Sequence, residues 1–206
     1  MKRPPIIATV LVGLAVAAMI ALGVWQLDRR GEKATLIARL SANRDLPPMA
    51  YPPQVPVAND AMFRKSRVTC LRVTGWRVTG GATPTGQGGY RHIAECATGA
   101  EGPSALIDMG VAANPAFKPD WRGGIVDGLI TTEPNQSSII GKALGSAPPL
   151  RPMLVADVPA PGLAASAPPS TAGISDNHLA YAVQWFLFAG VALVIYVIAL
   201  VRRSKT

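Results

Sequence analysis

Residues 175–203 read SDNHLAYAVQWFLFAGVALVIYVIALVRR, and the fold turns on how they are understood. From Leu179 to Val201 no side chain is charged. Backbone amides find no water in hydrocarbon, so an uncharged run of this length crosses a bilayer only as a helix. Its polar groups sit at the start: Asn177, His178 and Tyr181, with Gln184 and Trp185 a turn deeper. On a helix turning about 100° per residue, His178, Ala182, Trp185, Ala189, Ala192 and Tyr196 fall near one line. That stripe is small, aromatic and polar, which suits another helix or a flat ligand better than lipid.

A matching run lies near the other end. IIATVLVGLAVAAMIALGV, residues 6–24, is also free of charge, and at ~1.5 Å per residue it reaches about 28 Å, close to the hydrocarbon thickness. Its length argues for a retained anchor over a cleaved signal peptide. Gly13, Ala17 and Ala21 recur every four residues, and the line continues into Trp25 and Arg29, so pairing of the two spans is expected. The chain carries a formal charge of +8, but Lys2, Arg3, Arg202, Arg203 and Lys205 supply five of those charges on two short tails. This places both tails in the cytoplasm by the positive-inside tendency and leaves no basic surface for nucleic acid.

Between the spans, WQLDRRGEKATLIARLSAN continues at helical period until Pro47-Pro48 forbids more helix. Short β-type runs follow: SRVTCLRVTGWRV, GYRHIAECAT, SALIDMGVA and GGIVDGLITTE. GGATPTGQGG reads as a loop, because its glycines lead into no helix and match no phosphate-binding pattern. From Ala147 to Gly173, proline, alanine and serine accumulate, as in a tether. The expected fold is an α+β membrane protein, two transmembrane helices flanking a small antiparallel β-rich extracytoplasmic domain. Its expected divisions are a cytoplasmic tail 1–5, transmembrane helix 6–24, amphipathic extension 25–46, periplasmic β-rich domain 47–157, tether 158–178, transmembrane helix 179–201 and cytoplasmic tail 202–206.

The search for chemistry mostly excludes. Cys70 and Cys96 are the only cysteines and form no C-x-x-C pair, so a thioredoxin-like or paired-thiolate copper site lacks its ligands. They are open to a disulfide or to two buried thiols. His92 alternates with Tyr90 and Ala94 on a strand and reads as a solvated or hydrogen-bonded surface residue. No zinc ligand set, nucleophile-base pair or Walker loop is visible, so an enzyme is not expected. The expected tails are too short for the output domain of a ligand sensor.

His178 differs by position. With both tails inside, Trp25, Gln26, Arg29 and Arg30 share a leaflet with Asn177, His178 and Tyr181. An imidazole at an apolar interface beside guanidinium groups and aromatic rings suits haem, with His178 on iron, Arg29 and Arg30 on propionates, and Trp25, Tyr181 and Trp185 as walls. Ordinary hydrogen bonding between the helices, with interfacial Trp and snorkelling Arg, accounts for the same residues.

LGVWQLDRRGEK and DNHLAYAVQWFLFAGVALVIYVIALVRR resemble the two signature ends of the Surfeit locus protein 1 family, assembly factors of cytochrome c oxidase. Gly23, Trp25, Gln26, Arg29 and Arg30 match the first motif; Asn177, His178, Leu179, Tyr181, Ala182, Trp185 and Phe186 match the second. The middle is thinner: in ALIDMGVAANP, Met109-Gly110-Val111 stands where the family has Arg-Gly-Trp. The resemblance implies a bacterial inner-membrane protein that helps insert or retain haem a in oxidase subunit I, beside other assembly factors, with His178 as iron ligand. A membrane scaffold for that subunit that never touches haem is the alternative.

Overall fold

The computed structural model describes residues 5–99, 104–138, 145–173 and 176–205. Lys2 and Arg3 of the expected cytoplasmic tail lie outside them. The chain divides into two compact units, Met1–Ile37 with Ala172–Thr206, and Ala38–Thr171.

The first unit is helical. Helix α1 spans Ile6–Ala42 and helix α2 spans His178–Lys205. Both are long and apolar enough to cross a membrane, which fits a membrane protein. At ~1.5 Å per residue, α1 is about 55 Å long, well beyond one bilayer. It gives way to a 3-10 turn at Asn43–Asp45, just before the prolines that cannot continue it. Asn43 is buried there, its Nδ2 donating to the carbonyls of Asn59 at 2.7 Å and Met62 at 2.9 Å.

The second unit holds seven strands: β1 Met49–Ala50, β2 Lys65–Cys70, β3 Arg72–Ala82, β4 Gly88–Ala97, β5 Ala105–Ala112, β6 Gly124–Thr132 and β7 Pro152–Ala156. They form one sheet in the order β1-β2-β6-β7-β5-β4-β3. The sheet is mixed, not antiparallel as expected, because β1 runs parallel to β2 and β5 parallel to β7. The cause is β7. It slots between β6 and β5, and pairing antiparallel to β6 sets it parallel to β5. All five residues of β7 and nearly all of β5 are buried, so neither strand shows the alternation of a half-exposed strand.

Only Leu71 separates β2 from β3, yet those strands stand near opposite ends of the sheet order. The sheet is therefore strongly curled, and the Leu71 amide donates to Ala97 of β4 at 2.9 Å. Val68, Ala94, Ile107, Ile130 and Leu154 fill the larger of its two cores, and Leu106 and Met153 belong to the smaller. Cys70 and Cys96 settle their open alternative as a disulfide with a sequence separation of 26. A crosslink closing a loop of that size restricts the unfolded chain by about 3.5 kcal/mol. Replacing both cysteines by alanine is expected to cost about that much, measured by urea unfolding, and adding reductant to the native protein should bring its unfolding midpoint down to the variant's.

Three other expectations change. His92 is fully buried rather than solvated, because the chain after β5 folds back and sets Phe117 edge-on to its ring, centroids 5.9 Å apart. Neither ring nitrogen has a hydrogen-bond partner, and desolvation lowers its pKa below the ordinary 6.5. The expected Gly-rich loop shortens, since Gly80–Ala82 still pair with Gly88–Tyr90. The turn itself is closed by Thr83 N–H donating to Gln87 O at 2.9 Å, with Gly86 at φ +84°.

The tether expected at 158–178 is, in its first half, part of the sheet unit. Val111 and Ala164 exchange backbone hydrogen bonds at 2.8 and 2.9 Å, Ala160 and Leu163 enter the main core, and Ser166 is buried. What admits this segment is a bulge. Between the pairs Arg91↔Val111 and Ile93↔Asp108, β5 has one residue more than β4, and Gly110 sits there at φ +129°. The buried Asp108 carboxylate secures both, accepting from Gly110 N–H at 3.1 Å and Ser166 Oγ at 2.7 Å, with Arg91 Nε 3.0 Å away.

Candidate functional site

Within the helical unit, the covered positions of α2 are His178, Ala182, Trp185, Ala189, Ala192 and Tyr196, with Ala182 and Ala189 buried. This is the line drawn from the sequence. On α1 the covered positions up to Gln26 are Ala8, Val12, Val16, Met19, Gly23 and Gln26, with Lys33, Leu36 and Ile37 covered further along, whereas Gly13, Ala17, Ala21, Trp25 and Arg29 are exposed. The predicted face of α1 is therefore the wrong one. A strict four-residue step drifts about 40° per step around a helix turning 100° per residue, while a seam between paired helices alternates steps of four and three. The line on α2 already alternated; the line on α1 did not.

Close approach one turn from the Gln26 end depends on Gly23. A methyl group there would stand 2.6 Å from the Phe186 ring. At one end of the pair the Thr9 and Tyr196 hydroxyls share a hydrogen bond. At the other, seventeen residues along α1 and about 26 Å away, His178 Nδ1 lies 2.7 Å from Gln26 Oε1. The helices are thus antiparallel and tied at both ends.

An amide oxygen only accepts, so His178 Nδ1 is the donor in this contact. Polar groups gather around this ring. Asp176 accepts from the His178 backbone N–H through Oδ1 at 3.4 Å, opening α2, and its Oδ2 lies 4.0 Å from Arg30 Nε. Trp185 stands on the His178 line, half-buried and edge-on to Phe188 at 6.2 Å. The remaining predicted residues are elsewhere. Arg29 bonds Glu32 at 2.6 Å and lies over the Trp25 ring at 5.8 Å, on the exposed side of α1. Tyr181 is 51% exposed. The structure brings His178 to Gln26 and, through Asp176, to Arg30; Trp185 shares the His178 face of α2, and Trp25, Arg29 and Tyr181 take exposed positions. Asp176 was missed, although an Asp two residues before an apolar helical run is a capping signal.

Among the described residues no group of three or more His, Cys, Asp or Glu side chains could hold a metal ion. The class is therefore, among the described residues, a pair of helices long and apolar enough to cross a membrane, with a curled mixed-sheet domain inserted between them in sequence. The chain belongs to the SURF1 family, whose model matches residues 13–190. That family is one of cytochrome oxidase assembly factors, not of catalysts. No curated protein matches the chain.

Proposed function

We propose that this protein assists insertion or retention of haem a in subunit I of a haem-copper cytochrome c oxidase, with His178 Nε2 as an iron ligand. The observation that carries this reading is the 2.7 Å contact of His178 Nδ1 with Gln26 Oε1. A metal-binding imidazole commonly donates its other N–H to an acceptor that fixes ring orientation, and Gln26 occupies that role. Arg30 is the better propionate partner of the two arginines, because its contact with Asp176 is loose at 4.0 Å and Arg29 is bound to Glu32. Trp185 is the nearest wall on the His178 line; Trp25, Tyr181 and Arg29 would need to rotate inward. Haem, when bound, would supply an iron centre for transfer to the oxidase; the chain supplies a dry interface and an oriented nitrogen.

Placement in a bacterial inner membrane, with both termini cytoplasmic and the sheet domain periplasmic, is supported by the Cys70–Cys96 disulfide, which suits an oxidising compartment, and by the basic residues at the end of α2. The scaffold alternative also has an observation in its favour: Gly13, Ala17 and Ala21 stay uncovered on α1, open to a helix of the oxidase subunit.

The test is the visible spectrum of the detergent-purified protein from cells making haem a. The wild type is expected to carry haem, His178→Ala to lose it, and Gln26→Leu to bind about 10- to 100-fold more weakly. A colourless wild type that still supports oxidase assembly would leave the scaffold standing alone. Haem retained in His178→Ala would remove His178 as ligand.

A further inference from the structure

The sheet unit carries a cleft lined by its own residues. It measures about 530 Å³, within the ~300–1,000 Å³ usual for ligand clefts. One wall is Pro52, Pro53 and Val55; the prolines offer no N–H, so this side gives apolar contact. The opposite wall is β2. Strand β1 pairs only with Ser66 and Arg67, while β2 runs on to Cys70. Among the described residues, the β2 edge at Val68 and Thr69 therefore meets the cleft with no strand beyond it. An uncovered strand edge is a template for an extended chain.

Among the described residues, Arg67 and Arg151 line it and no carboxylate does. Arg67 is already held by both oxygens of Asp127, at 2.7 and 2.9 Å. Arg151 is different: its guanidinium donates to the neutral Ser104 Oγ at 3.1 Å and forms no ion pair among the described residues. A planar fork without an acid partner matches a carboxylate. The hydroxyls of Thr69, Thr98 and Ser104 spread along the cleft, which suits the repeated polar groups of a peptide better than a hydrocarbon tail.

We infer that this cleft binds an extended peptide bearing a carboxylate, which adds to the edge of β2 where β1 stops and sets its acid on Arg151. This site is separate from the helix pair, so it stands whether or not haem binds at His178.

The experiment uses the full-length protein in detergent and three fluorescein-labelled heptapeptides of alternating threonine and valine. One ends in a free carboxylate, one is amidated and carries a single glutamate, and one is amidated without acid. Fluorescence anisotropy should show at least tenfold tighter binding for one of the two acidic peptides, which also identifies terminal or side-chain carboxylate as the source. Arg151→Gln should erase that preference, and N-methylating alternate backbone amides of the preferred peptide should weaken it at least tenfold. Val55→Trp, at an exposed wall position, should abolish binding and serves if Arg151→Gln proves unstable in a thermal melt. Equal binding of all three peptides, a preference surviving Arg151→Gln, indifference to Val55→Trp, or oleate displacing a peptide that tolerates N-methylation would each overturn the assignment.

Discussion

Gly110→Ala is expected to destabilise the sheet unit by about 4 kcal/mol. Two separate costs converge. At φ +129° an L side chain is strained, worth about 1–3 kcal/mol. The added methyl would also stand 2.6 Å from the Ala164 carbonyl oxygen and 2.8 Å from Leu163 Cβ, and forcing packed backbone apart costs about 1–3 kcal/mol more. Because the obstruction is main chain, rotamer changes cannot relieve it. The predicted response is local before it is global: the returning segment should leave β5, exposing the paired amides of Val111 and Ala164 to hydrogen exchange. Gly80→Ala is the control, since nothing lies within 4 Å of a methyl there. Equal loss in both variants would mean that strand entropy, not the bulge, governs the position.

The neighbours of this glycine play a different part. Met109 and Val111 are both buried, while the backbone of Gly110 makes the bulge. The middle of the triplet is fixed by backbone geometry; its flanks need only fill space.

What was legible in the sequence follows from how each signal is physically made. Uncharged runs near the two ends and the prolines at 47–48 act through rules that hold wherever the chain goes, so α1, its end and α2 could be read directly. The main strands were visible through alternation, as in β2, where Ser66, Val68 and Cys70 are buried and their neighbours exposed. Strand β7 was not, because PMLVA is buried on both faces and sits in a Pro- and Ala-rich context. The docking of residues 159–167 depends on a bulge in another strand, and the burial of His92 on a loop that folds back over it; neither is a local property. In the candidate site, His178 and its stripe were readable, whereas the α1 partner face required the 3.5-residue repeat and so was placed on the wrong side.

Arg91→Met is expected to cost about 3–5 kcal/mol at neutral pH, because it strands the fully buried Asp108 carboxylate. Arg91 is itself only 19% exposed, so solvent screens the pair weakly. Burial pushes the Asp108 carboxyl above the ordinary 3.8, against the opposing pull of Arg91, then Ser166 and Gly110. A folded state that holds the proton more tightly than the unfolded chain gains from it at low pH; that gain is lost as pH rises from 3.8 through the folded value. Removing Arg91 takes away the largest opposing pull, so the loss should extend to higher pH. The difference between wild type and variant should therefore be large at pH 7 and shrink as pH falls and Asp108 takes up its proton. His92, held neutral by burial, makes both proteins lose stability as pH falls below 6.5, and this common slope cancels in the difference. Urea unfolding of the two proteins at pH 4 and pH 7 reads the effect directly. A difference that does not change with pH would show that Arg91 stabilises through packing of its stem and not through the charge it holds against Asp108.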